Sequence, residues 1–172
     1  MNDYLTLKPS NCKNCYKCIR SCPVKSISFS QNQAQIVPEA CILCGHCFVV
    51  CPQNAKEIRN DIPDAEALIQ NNAHVTVSLA PSIVAAFPGM TRTGMEKALQ
   101  KLGFSDVRET AEGAQAVKEC YDRLCREGEN DVLISSCCHT INLLIEKYYP
   151  AALPCLARVI TPMEASARQI KS

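Results

Sequence analysis

The spacing of apolar residues changes after residue 60 of this chain. Before that point the apolar runs are short, and Ser26–Ser30 and Ala34–Val37 flank a polar turn at residues 31–33. Two short runs around such a turn predict a β-hairpin. Further along, Gly45–Val50 fits a single helical turn that ends near Pro52. The first part is therefore expected to consist of short elements and loops.

Beyond residue 60 the apolar residues recur at the spacing of longer elements, beginning with a helix over Ala65–Asn71 for which Asp64 is the predicted N-cap. The elements predicted after it are strands at His74–Leu79, Val107–Thr110 and Asp131–Ser135, and helices at Thr93–Leu102, Ala111–Arg126, Ile141–Tyr149 and Glu164–Lys171. Strands that alternate with helices predict a parallel α/β sheet, which needs cover on both faces. Three strands make a thin, incomplete sheet, so we expect exposed apolar side chains around Ile83–Phe87 and Leu143–Ile145.

Eight of the thirteen cysteines stand in two copies of one motif, C-x2-C-x2-C-x3-C-P, and each cysteine of the second copy follows its counterpart by 29 residues. The copies contain Cys12, Cys15, Cys18 and Cys22, and then Cys41, Cys44, Cys47 and Cys51. This run is the bacterial-type signature of 4Fe–4S clusters, in which the fourth cysteine of each run ligates the other cluster. We therefore predict one cluster on Cys12, Cys15, Cys18 and Cys51, and another on Cys41, Cys44, Cys47 and Cys22.

Zinc and disulfide bonds are the alternatives for so many cysteines. Paired C-x2-C spacings also occur in zinc sites, but zinc takes four ligands and needs neither the third cysteine step nor the duplicate. Disulfides belong to oxidising compartments, and residues 1–8 contain no apolar segment of a secretion signal. Two 4Fe–4S clusters explain the spacing best, and they predict a reducing, cytoplasmic setting.

Charge and hydropathy exclude two classes of partner. The 172 residues have a formal net charge of +1, but residues 1–60 hold seven Lys and Arg against three Asp and Glu, and residues 61–172 hold eleven against fourteen. The basic residues of the first part are interleaved with cysteines and lack an aromatic stacking series, so they suit anionic clusters and not nucleic acid. No apolar run is long enough to span a bilayer, so no membrane partner is expected.

A second group of reactive residues is the segment Ser135-Ser136-Cys137-Cys138. It follows a predicted strand and precedes a predicted helix, which is where open α/β folds place their active sites. A helix N-terminus favours thiolate, either as a reactive group or as a metal ligand. Taken alone, two adjacent cysteines are more typical of small buried packing residues.

From His74 to its end the chain resembles the catalytic domain of iron-only (FeFe) hydrogenases. The matching stretches are LAPSIVAAFPG (79–89), TGMEKALQKLGFSDVRET (93–110), SSCCHTINLLIEKYYP (135–150) and VITPMEASARQIK (159–171). A di-cluster module joined near residue 60 is also how such hydrogenases are built. The LAPS and LIEKYYP segments, and a proline–methionine pair before an alanine-rich helix, are most similar to the sensory branch of the family.

The resemblance implies roles for five residues. Cys138 corresponds to a ligand of the 4Fe–4S part of the catalytic H-cluster, and Cys137 to the cysteine that carries protons to the di-iron site in catalytic members. Ala80, Pro81 and Ser82 would line the di-iron pocket. His139 stands where the family commonly has proline, whereas the retained Cys137 is closer to the catalytic branch than to the sensory one.

Two later cysteine motifs of the family, M-P-C-x-x-K and one ending in C-x-x-x-C near glycines, are absent here. After Cys138 only Cys155 remains, in a segment where the family has no ligand. Four thiolates hold a cubane cluster, so we expect no H-cluster in this chain alone and no hydrogenase activity on its own. The sequence indicates the N-terminal half of a hydrogenase-like protein, as a split subunit, a truncated product or a fragment.

These observations predict an α+β ferredoxin-like di-cluster module at residues 1–60, a linker helix at 61–73, and an incomplete α/β hydrogenase-like domain with a parallel sheet at 74–172. The predicted function is electron transfer through two 4Fe–4S clusters to a redox partner protein, within an iron-only hydrogenase-like protein. Two alternatives stay open: a redox or hydrogen sensor, and a split hydrogenase that is active when another chain completes it.

Overall fold

The computed structural model describes residues 4–128 and 131–172, so the first three residues of the predicted module lie outside the described residues. In chain order the elements are β1 (Leu5–Leu7), α1 (Lys17–Ser21), β2 (Ile27–Ser30), β3 (Gln33–Ile36), α2 (His46–Val49), β4 (Lys56–Ile58), α3 (Ile62–Asn71), β5 (Thr76–Leu79), α4 (Ile83–Ala86), α5 (Arg92–Lys101), β6 (Asp106–Glu109), α6 (Thr110–Glu127), α7 (His139–Tyr148) and α8 (Pro162–Lys171). Short 3-10 helices cover Pro9–Asn11 and Pro150–Cys155. Among the described residues, no helix combines the length and the apolar content that crossing a bilayer requires.

The described residues form two compact units. The first contains the residues up to Asp61 together with Thr140–Pro150, and the second contains Ile62–His139 and Ala151–Ser172. All of α7 except its first residue therefore belongs to the first unit, although it comes late in the chain.

Two antiparallel strand pairs build the first unit. β1 pairs with β4, with Leu5 opposite Ile58, and β2 pairs with β3, with Ile27 opposite Ile36. Between β2 and β3, Gln31 and Asn32 have positive φ angles of 50° and 56°. That left-handed backbone is what a two-residue hairpin turn requires. The predicted hairpin is confirmed, with a turn one residue shorter than the sequence indicates.

Cysteines make up half of the buried core cluster of the first unit. The six buried residues of this cluster are Leu5, Ile27 and Ala34 together with Cys18, Cys22 and Cys47. Ile145 of α7 is also buried in this unit. The prediction of an exposed apolar patch at Leu143–Ile145 is therefore wrong at Ile145, because α7 packs into the cysteine-rich unit.

The sheet of the second unit is smaller than predicted. β5 and β6 pair in parallel, with Thr76 opposite Asp106, and among the described residues they form a two-stranded sheet. The predicted strand at Asp131–Ser135 is wrong, because this segment makes only one isolated parallel bridge, between Ile134 and Leu156. The backbone of Ile134 bonds to Cys155 and Ala157, at 2.8 and 2.9 Å, and does not extend the sheet.

Small residues let helices α6 and α8 pack closely in the second unit. A Cβ atom on Gly113 would lie 2.3 Å from the carbonyl oxygen of Pro162 and 2.4 Å from the backbone nitrogen of Ser166. The Ser166 hydroxyl lies 3.1 Å from the Ser78 hydroxyl of β5, and Ser78 Oγ lies 2.8 Å from Thr110 Oγ1. Two helices and one strand thus meet through small side chains.

The predicted N-cap of the helix before β5 is wrong. Asp64 lies in the first turn of α3 and not at its N-cap, because the helix already begins at Ile62.

The segment after β5 exposes apolar side chains. Val84 in the short helix α4 is 74% exposed, and Phe87, directly after α4, is 51% exposed. The predicted exposure of apolar side chains around Ile83–Phe87 is confirmed at these two residues.

Candidate metal centres

Two cavities of the first unit are each lined by four cysteines. The first has an empty volume of about 380 Å³ and is lined by Cys12, Cys15, Cys18 and Cys51. The second has an empty volume of about 310 Å³ and is lined by Cys22, Cys41, Cys44 and Cys47. Each cavity combines three cysteines of one motif copy with the fourth cysteine of the other. The structure thus brings together the two crossed sets that the sequence predicts, whereas iron ligation by them stays a prediction.

The backbone repeats along with the cysteines. Residues with positive φ occur in pairs 29 positions apart: Asn14 and Leu43 (55° and 57°), Tyr16 and Gly45 (58° and 71°), and Lys25 and Asn54 (55° and 49°). Non-glycine residues rarely adopt this conformation, so its recurrence is informative. Tyr16 and Gly45 directly precede the short helices α1 and α2, which carry the third cysteine of each copy. Both motif copies therefore turn the chain in the same way.

Backbone N–H groups point at the fourth cysteine of each copy. The N–H of Ser26 donates to Cys22 Sγ at 3.3 Å, and the N–H of Ala55 donates to Cys51 Sγ at 3.3 Å. Burial raises the pKa of Cys22, but hydrogen bonds from the Ser26 side chain and from backbone groups outweigh it, so the pKa is lowered overall. These donors stabilise a thiolate, which is the form that ligates iron.

Burial and charge act in opposite directions on the inner cysteines. Burial raises the pKa of Cys18 and of Cys47, and the positive charge of Lys56 only partly offsets it, so that the pKa of Cys47 remains at about 11. Lys56 is itself only 3% exposed, and its ammonium group donates to the carbonyl oxygen of Ala34 at 2.6 Å. A buried positive charge thus lies beside the cysteine sets, and nothing in the motif itself indicates it.

The donor set suits an iron–sulfur cluster. All thirteen cysteines are free, so no disulfide occupies the eight motif cysteines. Within residues 4–128 and 131–172, no three His, Cys, Asp or Glu side chains converge as closely as a single metal ion needs. The sulfurs instead surround two cavities, and thiolates are the ligands that 4Fe–4S clusters use.

Helix α7 contacts the loop of the second cysteine set. The ammonium group of Lys147 donates to the carbonyl oxygens of Cys41 at 2.7 Å and of Pro38 at 3.3 Å. The hydroxyl of Tyr148 donates to the carbonyl oxygen of Ala40 at 2.6 Å. Sequence reasoning missed both residues, because no local pattern links them to a loop more than one hundred positions earlier.

In the second unit, the segment before α7 is organised by Tyr121. The Tyr121 hydroxyl oxygen accepts the N–H of Ser136 at 2.8 Å and the hydroxyl of Ser135 at 3.2 Å, and it lies 3.8 Å from Cys137 Sγ. Cys137 and Cys138 are both exposed, which contradicts the alternative that they are buried packing residues. The sequence carries no signal for Tyr121, because a tyrosine on a long helix is ordinary.

The third cavity lies where the resemblance places the pocket residues. Its empty volume is about 750 Å³, and its described lining is Leu79, Ala80, Pro81, Ile83, Val84, Met90, Arg92, Glu109 and Ala111. Ala80 and Pro81 thus line a cavity, whereas Ser82 lies at the start of α4 outside the described lining. Cys137 and Cys138 are not among the described lining residues either.

The paired four-cysteine cavities on a repeated backbone agree with a match to known iron–sulfur proteins, which makes this chain an iron–sulfur protein. Residues 4–52 match the 4Fe-4S dicluster domain, and residues 73–172 match the iron only hydrogenase large subunit, C-terminal domain. Because the second match spans more than half of the chain, the chain belongs to the iron-only hydrogenase large-subunit family.

Known proteins resemble the chain over different lengths. The NADP-reducing hydrogenase subunit HndD of Solidesulfovibrio fructosivorans is 31% identical over 80% of this chain and 26% of its own length. One subunit of the ion-translocating oxidoreductase complex of Methanosarcina acetivorans is 42% identical over 28% of this chain and 18% of its own length. Ferredoxin 7Fe of Hydrogenibacillus schlegelii is 38% identical over 32% of this chain and 72% of its own length. The chain thus spans about a quarter or less of the first two relatives.

A solved FeFe-hydrogenase structure, from work on oxygen inactivation through degradation of the 2Fe subcluster of the H cluster, also resembles the chain. The TM-score is 0.49 at 23% identity, over 66% of this chain and 34% of that chain. At this level of likeness it carries no argument about the site.

Proposed function

We propose that this chain transfers electrons through two 4Fe–4S clusters, as the N-terminal part or a component of an iron-only hydrogenase-like protein. The observation that carries the proposal is the pair of cavities, each lined by three cysteines of one motif copy and the fourth of the other. When bound, such clusters supply one-electron redox chemistry. The family match and the dicluster-domain match support the same class of function.

The residues of the first unit hold the clusters and connect them to the surface. Cys12, Cys15, Cys18 and Cys51 would hold one cluster, and Cys41, Cys44, Cys47 and Cys22 the other. One cysteine of each set, Cys15 or Cys44, is exposed, whereas Cys18, Cys22, Cys41 and Cys47 are buried. Electron transfer to a redox partner protein would therefore be shortest at the loops of Cys15 and Cys44. Thirteen free thiols suit a reducing compartment, and we infer a cytoplasmic location.

Iron and acid-labile sulfide analysis of the anaerobically purified chain tests the function. We expect about eight of each per chain, with a spin-coupled EPR signal after reduction by dithionite. An iron content of about four, or a zinc content matching the protein, would overturn the proposal, and about seven iron would exclude two complete 4Fe–4S clusters.

The Cys22→Ser variant tests the crossed assignment. It removes the first-copy cysteine that lines the second cavity, so the cluster held with Cys41, Cys44 and Cys47 should be damaged while the other persists. Cys125→Ser is the matched control, because Cys125 is an exposed free thiol outside both cavities. Loss of the first-cavity cluster in Cys22→Ser would contradict the crossed sets.

The second unit is proposed to act only together with further protein. Of the cysteines that the resemblance assigns to the H-cluster, this chain has Cys138, and four thiolates are needed to hold a cubane. The exposed side chains of Val84, which lines the third cavity, and of Phe87, which follows α4, suit contact with the remaining part of a hydrogenase domain, in a continuation of this chain or in another chain. We therefore infer that the chain alone has no H-cluster and no hydrogen turnover, which a hydrogen-evolution assay with reduced methyl viologen tests directly.

A further inference from the structure

Lys56 is a lysine where lysines are rarely found. It is the first residue of β4, is only 3% exposed, and lines the first cavity together with Cys12, Cys18 and Cys51. Lysine is almost never fully buried unless a negative group compensates its charge. The position therefore needs a physical explanation.

The surroundings of Lys56 offer hydrogen bonding but no carboxylate. Its ammonium group donates to the Ala34 carbonyl at 2.6 Å, and among the described residues no Asp or Glu forms an ion pair with it. The adjacent Glu57 pairs instead with Lys8 at 2.8 Å. Lys56 shares the lining of the first cavity with cysteine sulfurs, which carry negative charge as iron ligands. Its positive charge lowers the pKa of Cys12 and Cys18 in that cavity and of Cys47 in the second.

A buried cation beside thiolate-bound iron has a predictable electrostatic effect. Reduction adds one negative charge to a cluster, and a nearby positive charge stabilises the reduced state more than the oxidised state. Stabilising the reduced state raises the reduction potential. Because Lys56 is shielded from water, solvent and salt screen this effect far less than they screen the effect of a surface lysine.

We propose that the buried positive charge of Lys56 raises the reduction potential of the cluster in the first cavity relative to that of the cluster in the second. The inference rests on the proposed function, because it requires both clusters. The asymmetry is one of degree: Lys56 lines the first cavity itself, whereas in the second, whose described lining lacks it, its charge acts on Cys47. A higher potential favours the electron on the cluster of the first cavity.

The chain provides a matched control for this charge. Lys17 also lines the first cavity, but it is exposed at the start of α1. Removing its charge should change the potential less, because water screens an exposed ammonium group. Lys56→Gln keeps a side chain that can donate to Ala34, whereas Lys56→Met removes both the charge and the donor.

The experiment is an EPR-monitored redox titration of the full chain with its clusters, comparing the unmodified protein with Lys56→Gln, Lys56→Met and Lys17→Met. Iron and sulfide contents are measured first on each sample. We expect both Lys56 variants to keep their iron and to lower one midpoint potential clearly more than the other. Lys17→Met should shift neither potential by as much. A Cys15→Ser variant identifies the first-cavity cluster, because only that cavity contains Cys15.

Each other outcome has a distinct meaning. Potentials that stay unchanged in Lys56→Gln but fall in Lys56→Met would show that the hydrogen bond matters and the charge does not, and would overturn the inference. Equal shifts of both clusters, or iron loss in both Lys56 variants, would also overturn it. A shortage of iron in the unmodified protein would instead contradict the proposed function.

Discussion

The two units of this chain achieve burial in different ways. Of the fifteen buried apolar side chains among the described residues, ten lie in the first unit, and four of those ten are cysteines. The second unit buries Met95, Val107, Val117, Ala157 and Ala165, and it also relies on close contact between small residues at Gly113 and Ser166. Its longest helix has eighteen residues, whereas the helices before Asp61 have five and four.

This difference shows where the stability of each unit comes from. Apart from α7, the first unit consists of short strands and single helical turns, which are too small to hold a fold by themselves, so we expect it to depend on what its cysteines bind. The second unit has long helices whose packing needs no ligand, but its two-stranded sheet and α4 leave apolar side chains in water. We therefore expect the first unit to depend on its clusters for stability, and we propose that the second is completed by further protein.

Removing iron should produce the largest effect, and the two units should respond to it differently. Treatment with an iron chelator under anaerobic, reducing conditions is expected to abolish amide-exchange protection in β1–β4, because half of the core cluster there is cysteine. Protection in α6 and α8 should persist, since their contact contains no proposed iron ligand. Hydrogen exchange with mass spectrometry measures both regions in one sample. Equal loss of protection in α6 and α8 would contradict the comparison.

The Gly113→Ala variant should give the largest effect confined to the second unit. The added Cβ would overlap backbone atoms of Pro162 and Ser166, and forced overpacking of this kind costs about 3 kcal/mol. We expect a strong decrease in the thermal stability of α6 and α8, measured as thermal unfolding by circular dichroism at 222 nm. The iron content should stay unchanged.

Gly128→Ala is the control for that variant. Gly128 has a φ of 64° at the end of α6, and a Cβ atom there would meet nothing within 4 Å. Its cost should be limited to the left-handed backbone, about 1 kcal/mol. If the two variants were equally stable, the close contact of α6 with α8 would not be important for stability.

The smallest effect is expected at the contact of α7 with the second cysteine loop. Tyr148→Phe removes the hydrogen bond to the Ala40 carbonyl and should cost about 1 kcal/mol in the stability of the first unit. Tyr149→Phe is the neighbouring control, because the Tyr149 side chain is 60% exposed. Faster amide exchange around Ala40 and Cys41 in Tyr148→Phe alone is the expected result. Equally fast exchange in both variants would show that the hydrogen bond from Tyr148 to the Ala40 carbonyl does not stabilise this loop.

The sequence predicted contacts that depend on local spacing and missed those that depend on distant neighbours. The cysteine motif carries its own pairing rule, and the polar turn between β2 and β3 has a local signal, so the crossed sets and the hairpin could be anticipated. The pair of β1 and β4 joins two three-residue strands, which are too short to show a period.

Other differences arise from tertiary contacts. Asp131–Ser135 has the composition of a strand, but the backbone of Ile134 bonds to the end of a 3-10 helix instead of to β5 or β6. Lys56 follows the second cysteine copy as an ordinary polar residue, and only the fold shows that it is buried. Propensity describes a residue's preference, whereas the neighbours that decide its role come from elsewhere in the chain.

The late position of α7 has a consequence for how this protein is made. Residues 140–150 belong to the first unit, yet the ribosome adds Thr140 89 residues after Cys51, the last cysteine of the motif. During synthesis the cysteine loops therefore leave the ribosome first, and they lack the contacts of Ile145, Lys147 and Tyr148 until most of the second unit has been made. A fusion protein that contains only residues 1–61 of this chain would never gain these α7 contacts.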